Sequence, residues 1–386
     1  MRFALALLSV SLCLLLFEAG LRLAREPMDF LKPKLEPHPV LGFRVVNGTG
    51  GHDAWGFRNH GVPEQADIVA IGDSQTWGVA ATSDTSWPAW LARKTGRSTY
   101  NLGLSGYGPA EYAYLLEGRA LQLAPRLIVV GLYFGNDFIN AYDSVAGREH
   151  WRSRRLPSMR TSSGDAPAAH TLSPLWVPEH PSIAWRTRRW LRHHSMLFRA
   201  IEASPVGQLV NAWGDQRAAF SGDGCSVRLD RPFSTVLQPE NRFRGLDPTD
   251  PAVLDGLELT LSLLDEMATR VAESGAALLV VLIPTKESVL LGSENPAGRR
   301  ERSHCERVAQ EVVESEAAMH ARVRAHLTER GIAFADPLPA LRAKSLQQRT
   351  YLRSADSHPN GEGYAVIAGV LDAMIAGDAG RRAGID

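Results

Sequence analysis

Asp67-Ile68-Val69-Ala70-Ile71-Gly72-Asp73-Ser74-Gln75-Thr76 is the stretch on which the reading of this chain turns. A short apolar run, Ile68 to Ile71, ends in Gly-Asp-Ser. Such a run suits a strand buried on both faces, as in a parallel sheet covered by helices. In an open α/β sheet, the loops leaving the carboxyl ends of the strands form the ligand crevice. Ser74 would stand there, opening a helix through Gln75 and Thr76, with its hydroxyl exposed and its backbone N–H aimed at a developing oxyanion. By itself the tripeptide is also an ordinary helix cap. Its meaning depends on what else reaches the same edge.

Outward from Ser74, similar apolar runs recur at Leu127–Leu132, Ala277–Ile283 and Ile332–Ala335, with a weaker one at Thr99–Leu102. Helical spacing of apolar residues fills the gaps, over Pro88–Arg93, Ala110–Ala124, Val253–Ser274, Cys305–Arg330 and Gly361–Ile375. Gly275 and Gly331 stand where two of these helices should stop. The alternation predicts a three-layer α/β/α sandwich around five parallel strands. Asn140 to Thr249 breaks the rhythm and is too long for a plain loop. It is expected to be a cap or lid inserted after the third strand. The expected layout is therefore an N-terminal anchor (1–25), an extended lead-in (26–59), an α/β domain (60–139 with 250–380) and the insertion (140–249).

Composition narrows the function. Forty-two Lys and Arg balance forty-two Asp and Glu over 386 residues, so no global field draws the chain to nucleic acid, and none is expected as a partner. The apolar run from Phe3 to Phe17, ended by Glu18, Arg22 and Arg25, lacks small residues at a cleavage site. It reads as an uncleaved signal anchor or transmembrane helix, with the folded part outside the cytoplasm in the periplasm or cell envelope. Cys225 and Cys305 are a candidate disulfide there. No Cys or His spacing suits a metal, and no cofactor is called for. Protein partners are not indicated.

Three further blocks carry chemistry. Asn101-Leu102-Gly103-Leu104-Ser105-Gly106-Tyr107-Gly108 follows a candidate strand and suits a tight loop whose backbone N–H groups approach a ligand. Gly135-Asn136-Asp137 follows the third strand, where the Asn amide would donate to an oxyanion, although an Asx turn would use the same residues. Ser354-Ala355-Asp356-Ser357-His358-Pro359-Asn360 precedes the last helix. There His358 would take the Ser74 proton and return it to a leaving group, with Asp356 fixing the imidazole tautomer.

These four blocks, in this order, resemble the SGNH or GDSL hydrolase superfamily over Asp67–Gly135 and Ala277–Ile375. The resemblance implies a flavodoxin-like fold, Ser74 as nucleophile, His358 as base oriented by Asp356, and an oxyanion hole from Ser74 N–H, Gly106 and Asn136. The usual family pattern places Asp three residues before His. Here the spacing is two and position 355 is Ala, which is similar to the AlgJ/AlgX-like periplasmic proteins of alginate O-acetylation. Ile283-Pro284-Thr285-Lys286-Glu287 also looks like that branch. The implied activity is serine-dependent acyl transfer, as an esterase or O-acetyltransferase, on O-acyl groups of an envelope or exported polysaccharide. A catalytically inactive polysaccharide-binding or assembly factor, and a lipid esterase, are the alternatives. Trp77, Trp87 and Tyr107 are candidates to stack on a sugar ring, with core packing the alternative for at least one of them. Lys286 is a candidate contact to a polar or anionic saccharide, with a solvated surface charge as the alternative.

Overall fold

In a computed structural model, residues 2–160, 181–204, 225–230, 232–292 and 303–377 are described. The apolar runs form five parallel strands: β1 (Ile68–Gly72), β2 (Thr99–Gly103), β3 (Leu127–Tyr133), β4 (Ala277–Ile283) and β5 (Ala333–Ala335). They pair in the order β2-β1-β3-β4-β5, the flavodoxin-like arrangement. Because side chains alternate along a strand, Ile68, Ala70, Leu127, Val129, Leu279, Val281 and Ile283 share one face. There they pack on Trp87, Leu91, Ile367 and Leu371. These four come from α2 (Trp87–Thr95) and α6 (Gly361–Ala376), which pack against each other. On the other face lie α3 (Pro109–Gly118), α4 (Asp137–Gly147) and α5 (Pro251–Glu273), also mutually packed. The three-layer sandwich is thus the observed fold.

Two strand ends and one helix end differ from expectation. β1 extends to Gly72, and β5 begins only at Ala333. The helical pattern over 110–124 is interrupted after Gly118, and Ala120–Leu123 continues as a separate 3₁₀ turn.

The chain divides into two compact units, one of residues 38–43, 63–173 and 224–386, the other of 1–37, 44–62 and 174–223. The expected insertion is therefore not one piece. Asn140–Gly147 belongs to α4, and Val145, Trp151 and Met159 pack on Leu259 and Leu263 of α5. This segment completes the helical layer instead of forming a cap. Farther on, a short antiparallel pair, Val227–Leu229 with Thr235–Leu237, belongs to the same α/β unit. Cys225 is joined there to Cys305, 80 residues away, in the first turn of the helix His304–Arg330.

In the other unit, the lead-in is more ordered than an extended strap. Arg58 pairs with Asp29 at 2.7 Å, and Asp53 Oδ1 accepts from the Trp55 and Phe57 N–H groups at 2.9 and 3.0 Å. The helix Arg2–Ala24 exposes Leu8, Leu12, Leu15 and Phe17. Among the described residues no helix is long and apolar enough to cross a membrane. The expectation of a transmembrane helix is not met there: the apolar run stops at Phe17, and the charged Glu18 and Arg22 beyond it bond to His194, Ser195 and Leu197.

Candidate active site

Ser74 sits low against the sheet because three glycines clear space for it. Gly72 ends β1 and stands in register with Gly103 of β2 and Gly131 of β3. A Cβ at Gly72 or Gly131 would lie 2.0 or 2.5 Å from Thr76 Oγ1, and one at Gly103 would lie 2.5 Å from the Trp77 nitrogen. Without side chains at these positions, the short helix α1 (Ser74–Trp77) settles on the carboxyl ends of three adjacent strands. Asp73 caps it, its Oδ1 accepting from Gln75 N–H at 2.8 Å.

His358 reaches this turn from the opposite end of the sequence. Its Nε2 lies 2.8 Å from Ser74 Oγ, and its Nδ1 lies 2.8 Å from Asp356 Oδ1. The two-residue spacing has a local cause: the same Oδ1 accepts the His358 backbone N–H at 2.8 Å. That is an Asx turn, which an Asp two residues upstream is suited to make. One oxygen therefore both folds the loop and orients the imidazole. Burial pushes the Asp356 carboxyl up, but the hydrogen bond from His358 and its charge overcome this and leave it below the usual aspartate range. The loop is tied down beyond His358 as well. Pro359 bridges to Tyr351, and Asn360 donates its N–H to Thr350 O at 2.9 Å and its Nδ2 to Arg349 O at 2.9 Å.

Asp73 is a member of the site that the sequence reading did not single out, although it lies inside the decisive tripeptide. Its Oδ2 accepts from Ser74 Oγ at 3.1 Å, in competition with His358. Asp73 is fully buried, and burial raises its carboxyl pKa against the hydrogen bonds from Gln75 and Ser74 and the charge of His358.

The other expected donors lie on the neighbouring loops. Gly106, exposed with φ of 89°, occupies the left-handed region that favours glycine. Asn136 precedes α4, and its side chain makes no capping bond, while its Oδ1 is buried without a partner. The turn before α4 is fixed by Asp137, whose carboxylate accepts from Tyr133 N–H at 2.8 Å and Tyr112 Oη at 3.0 Å. Asn136 is thus held at a rigid position with its amide uncommitted to the helix.

Two of the expected substrate contacts are corrected. Lys286 is 1% exposed, too buried to meet a saccharide. Its Nζ donates to the carbonyls of Val236, Ser354 and Asp356 at 3.1, 2.9 and 2.9 Å, so it ties the histidine loop to the strand Thr235–Leu237. Burial lowers its pKa to about 8, against the favourable charges of Glu287 and Asp356. Thr235 Oγ1 donates to Leu352 O at 2.6 Å on the same loop. Tyr107 is also buried, with its hydroxyl donating to Phe43 O at 2.9 Å, and its ring cannot stack on a sugar. Trp77, at the end of α1, is half-buried.

No family model matches the sequence, and no curated protein matches it. Solved structures with a similar fold include an extracellular lipase from Streptomyces rimosus, at 14% identity and a TM-score of 0.40, covering 80% of this chain and 98% of that one. A catalytic mutant of an acetylxylan esterase from Geobacillus stearothermophilus matches at 9% identity and 0.38, covering 82% and 97%. A GDSL-like lipase from Bacteroides thetaiotaomicron matches at 11% and 0.35, covering 80% and 86%. At these identities and scores the likeness carries no functional argument, and the case for chemistry rests on the groups around Ser74.

Proposed function

We propose that this chain is a serine-dependent acyl-transfer enzyme acting on ester bonds. The observation that carries this reading is the continuous chain Ser74 Oγ, His358 Nε2, His358 Nδ1, Asp356 Oδ1, with both polar contacts at 2.8 Å. As His358 takes the hydroxyl proton, Ser74 Oγ attacks the acyl carbon. Asp356, held as a carboxylate, stabilises the imidazolium. The oxygen that becomes negative is met by the Ser74 and Gly106 N–H groups and the Asn136 amide. The imidazolium then gives its proton to the departing alkoxide, leaving an ester on Ser74. A second hydroxyl, from water or an acceptor, is deprotonated by His358 and attacks that ester. Its oxygen takes the acyl group as the acyl–Oγ bond breaks, and the imidazolium returns the proton to Ser74 Oγ.

The substrate class we favour is O-acyl groups, acetyl above all, on an envelope or exported polysaccharide. Support comes from the Asp356–His358 spacing and its likeness to periplasmic O-acetylation proteins. The membrane attachment we favour uses the helix Arg2–Ala24, whose exposed leucines form an apolar surface that water does not suit, with the α/β unit outside the cytoplasm. Hydrolysis of p-nitrophenyl acetate, followed beside a thermal melt, tests the chemistry: Ser74→Ala is expected to lose turnover while remaining folded. Wild-type rates in a folded variant would overturn the assignment. Mass spectrometry of an oligosaccharide incubated with enzyme and acetyl donor separates the two outcomes, since transfer adds acetyl groups to sugar and hydrolysis releases only acetate.

A further inference from the structure

Glu18 and Arg22 interrupt an otherwise apolar helix, and both hold a helix pair in place. The Glu18 carboxylate accepts from Ser195 Oγ, Met196 N–H and Leu197 N–H at 2.9, 3.1 and 2.8 Å, capping the helix Met196–Ala203. Arg22 Nη2 donates to the His194 carbonyl at 2.7 Å, at the end of the helix Ile183–His194. From another flank, Lys32 N–H donates to Arg192 O at 3.0 Å, and His193 Nδ1 lies 2.7 Å from Lys32 O. The pair is therefore fastened to the helix Arg2–Ala24 just past Phe17, where its apolar run ends.

The outer face of Ile183–His194 has the composition of a membrane interface. Ile183 is 83% exposed and Trp190 58%. Seven residues apart, they share one face, with Arg186 between them. Arg189 stands over the Trp185 ring at 5.1 Å. No acidic residue occurs in this helix. Arg188 and Arg192 share the single Glu202 carboxylate with Arg199, whereas among the described residues no carboxylate pairs with Arg186 or Arg189. An exposed tryptophan and isoleucine beside unneutralised arginines suit a headgroup layer that is apolar beneath and anionic above.

The length of the first helix gives such a contact a purpose. Phe3 to Phe17 spans about 22 Å as a helix, short of the roughly 30 Å hydrocarbon core. A short apolar element holds a membrane weakly, and firm attachment takes a second signal. We infer that Ile183–His194 is that second contact, docking on anionic phospholipid through Arg186 and Arg189 while Ile183 and Trp190 enter the interfacial layer. The inference rests on the reading that the helix Arg2–Ala24 enters a membrane.

Flotation of the full chain with vesicles separates the two contacts. Phosphatidylcholine vesicles report the apolar contacts of the first helix and of Ile183 and Trp190, and phosphatidylglycerol adds the contribution of Arg186 and Arg189. Wild-type protein is expected to float with both and to partition about 25-fold more strongly onto the anionic vesicles, since each of the two basic residues near such a surface contributes about a fivefold gain. The excess should shrink in high salt. Arg186→Glu with Arg189→Glu should abolish the anionic preference without changing flotation on phosphatidylcholine, and Trp190→Ala should weaken both severalfold, each variant being checked for folding by circular dichroism. Equal partitioning of wild-type and charge-reversed protein onto anionic vesicles would overturn the inference. Flotation of wild type on neutral vesicles with no anionic preference would also reject it and leave the first contact standing. Absence of flotation with either vesicle would overturn both readings.

Discussion

Three backbone carbonyls converge on the Lys286 ammonium, and two of them belong to the loop that carries His358. Removing the ammonium leaves buried acceptors unpaired, which costs on the order of 1–3 kcal/mol for such a group, and lets the histidine loop drift from Ser74. Lys286→Met, which keeps an apolar stem, is expected to lower kcat for a small ester at least tenfold with KM nearly unchanged, and to lower Tm. Lys286→Arg should restore part of kcat. Steady-state kinetics beside a melt checks this, and an unaltered kcat in the Met variant would show that the loop holds itself. For Asn136 the expected effect lies wholly in the transition state. Asn136→Ala should reduce kcat roughly 10²–10³-fold with little change in KM, whereas a defect confined to KM would make it a substrate-binding residue. That Ser74, His358 and Asp356 come together was legible because each stands in a short block placed at the same end of the sheet. Lys286 was misread as a surface contact because its burial depends on a strand at Thr235–Leu237 folding back across it. Nothing adjacent to Lys286 in sequence signals that. Tyr107 failed for a similar reason, since its hydrogen-bond partner is Phe43.

At the level of elements, the three glycines at the ends of β1, β2 and β3 let α1 rest on the sheet. Gly103 is the most constrained of them toward backbone, because an added Cβ would lie 2.5 Å from the Trp77 nitrogen. Gly103→Ala is therefore expected to cost about 1–3 kcal/mol by overpacking and to lower ester turnover more than that loss of stability alone would. Gly118→Ala is a matched control, since nothing lies within 4 Å of its added Cβ. It should leave turnover unchanged. Differential melts and kinetics of the two variants make the comparison, and equal effects would remove the floor from the account. The strands and helices around this floor were legible because continuous apolar runs and helical spacing are properties of the sequence itself. The fate of residues 140–249 was not. Whether an apolar helix such as Asp137–Gly147 caps a crevice or completes a layer depends on a long-range partner, here Pro251–Glu273.

At the scale of the whole molecule, stability carries a pH signature from Glu316. This carboxyl is fully buried against Thr285 and Ser288, and burial raises its pKa to about 7 despite the hydrogen bonds it accepts. Between its ordinary value of 4.5 and about 7, the native state holds a proton that the unfolded chain has released. Stability should therefore fall as pH rises through that window, by up to about 3 kcal/mol, and level off above it. Asp356 works in the opposite sense. Its lowered pKa favours the native state above the ordinary aspartate range and loses that contribution only in stronger acid. Glu316→Gln should flatten the decline between pH 4.5 and about 7, as read from Tm across buffers. A decline unchanged in the variant would place its origin in other groups.

The claim on which everything else depends is that an acyl group rests on Ser74. Brief exposure of the protein to p-nitrophenyl acetate, quenching in acid and peptide mapping by mass spectrometry tests it directly. The account predicts the mass of one acetyl group on the peptide containing Ser74, absent from Ser74→Ala and from protein quenched after the donor is exhausted. Ester turnover with no acetyl on that peptide at any time, or with acetyl on another residue that Ser74→Ala leaves in place, would contradict it.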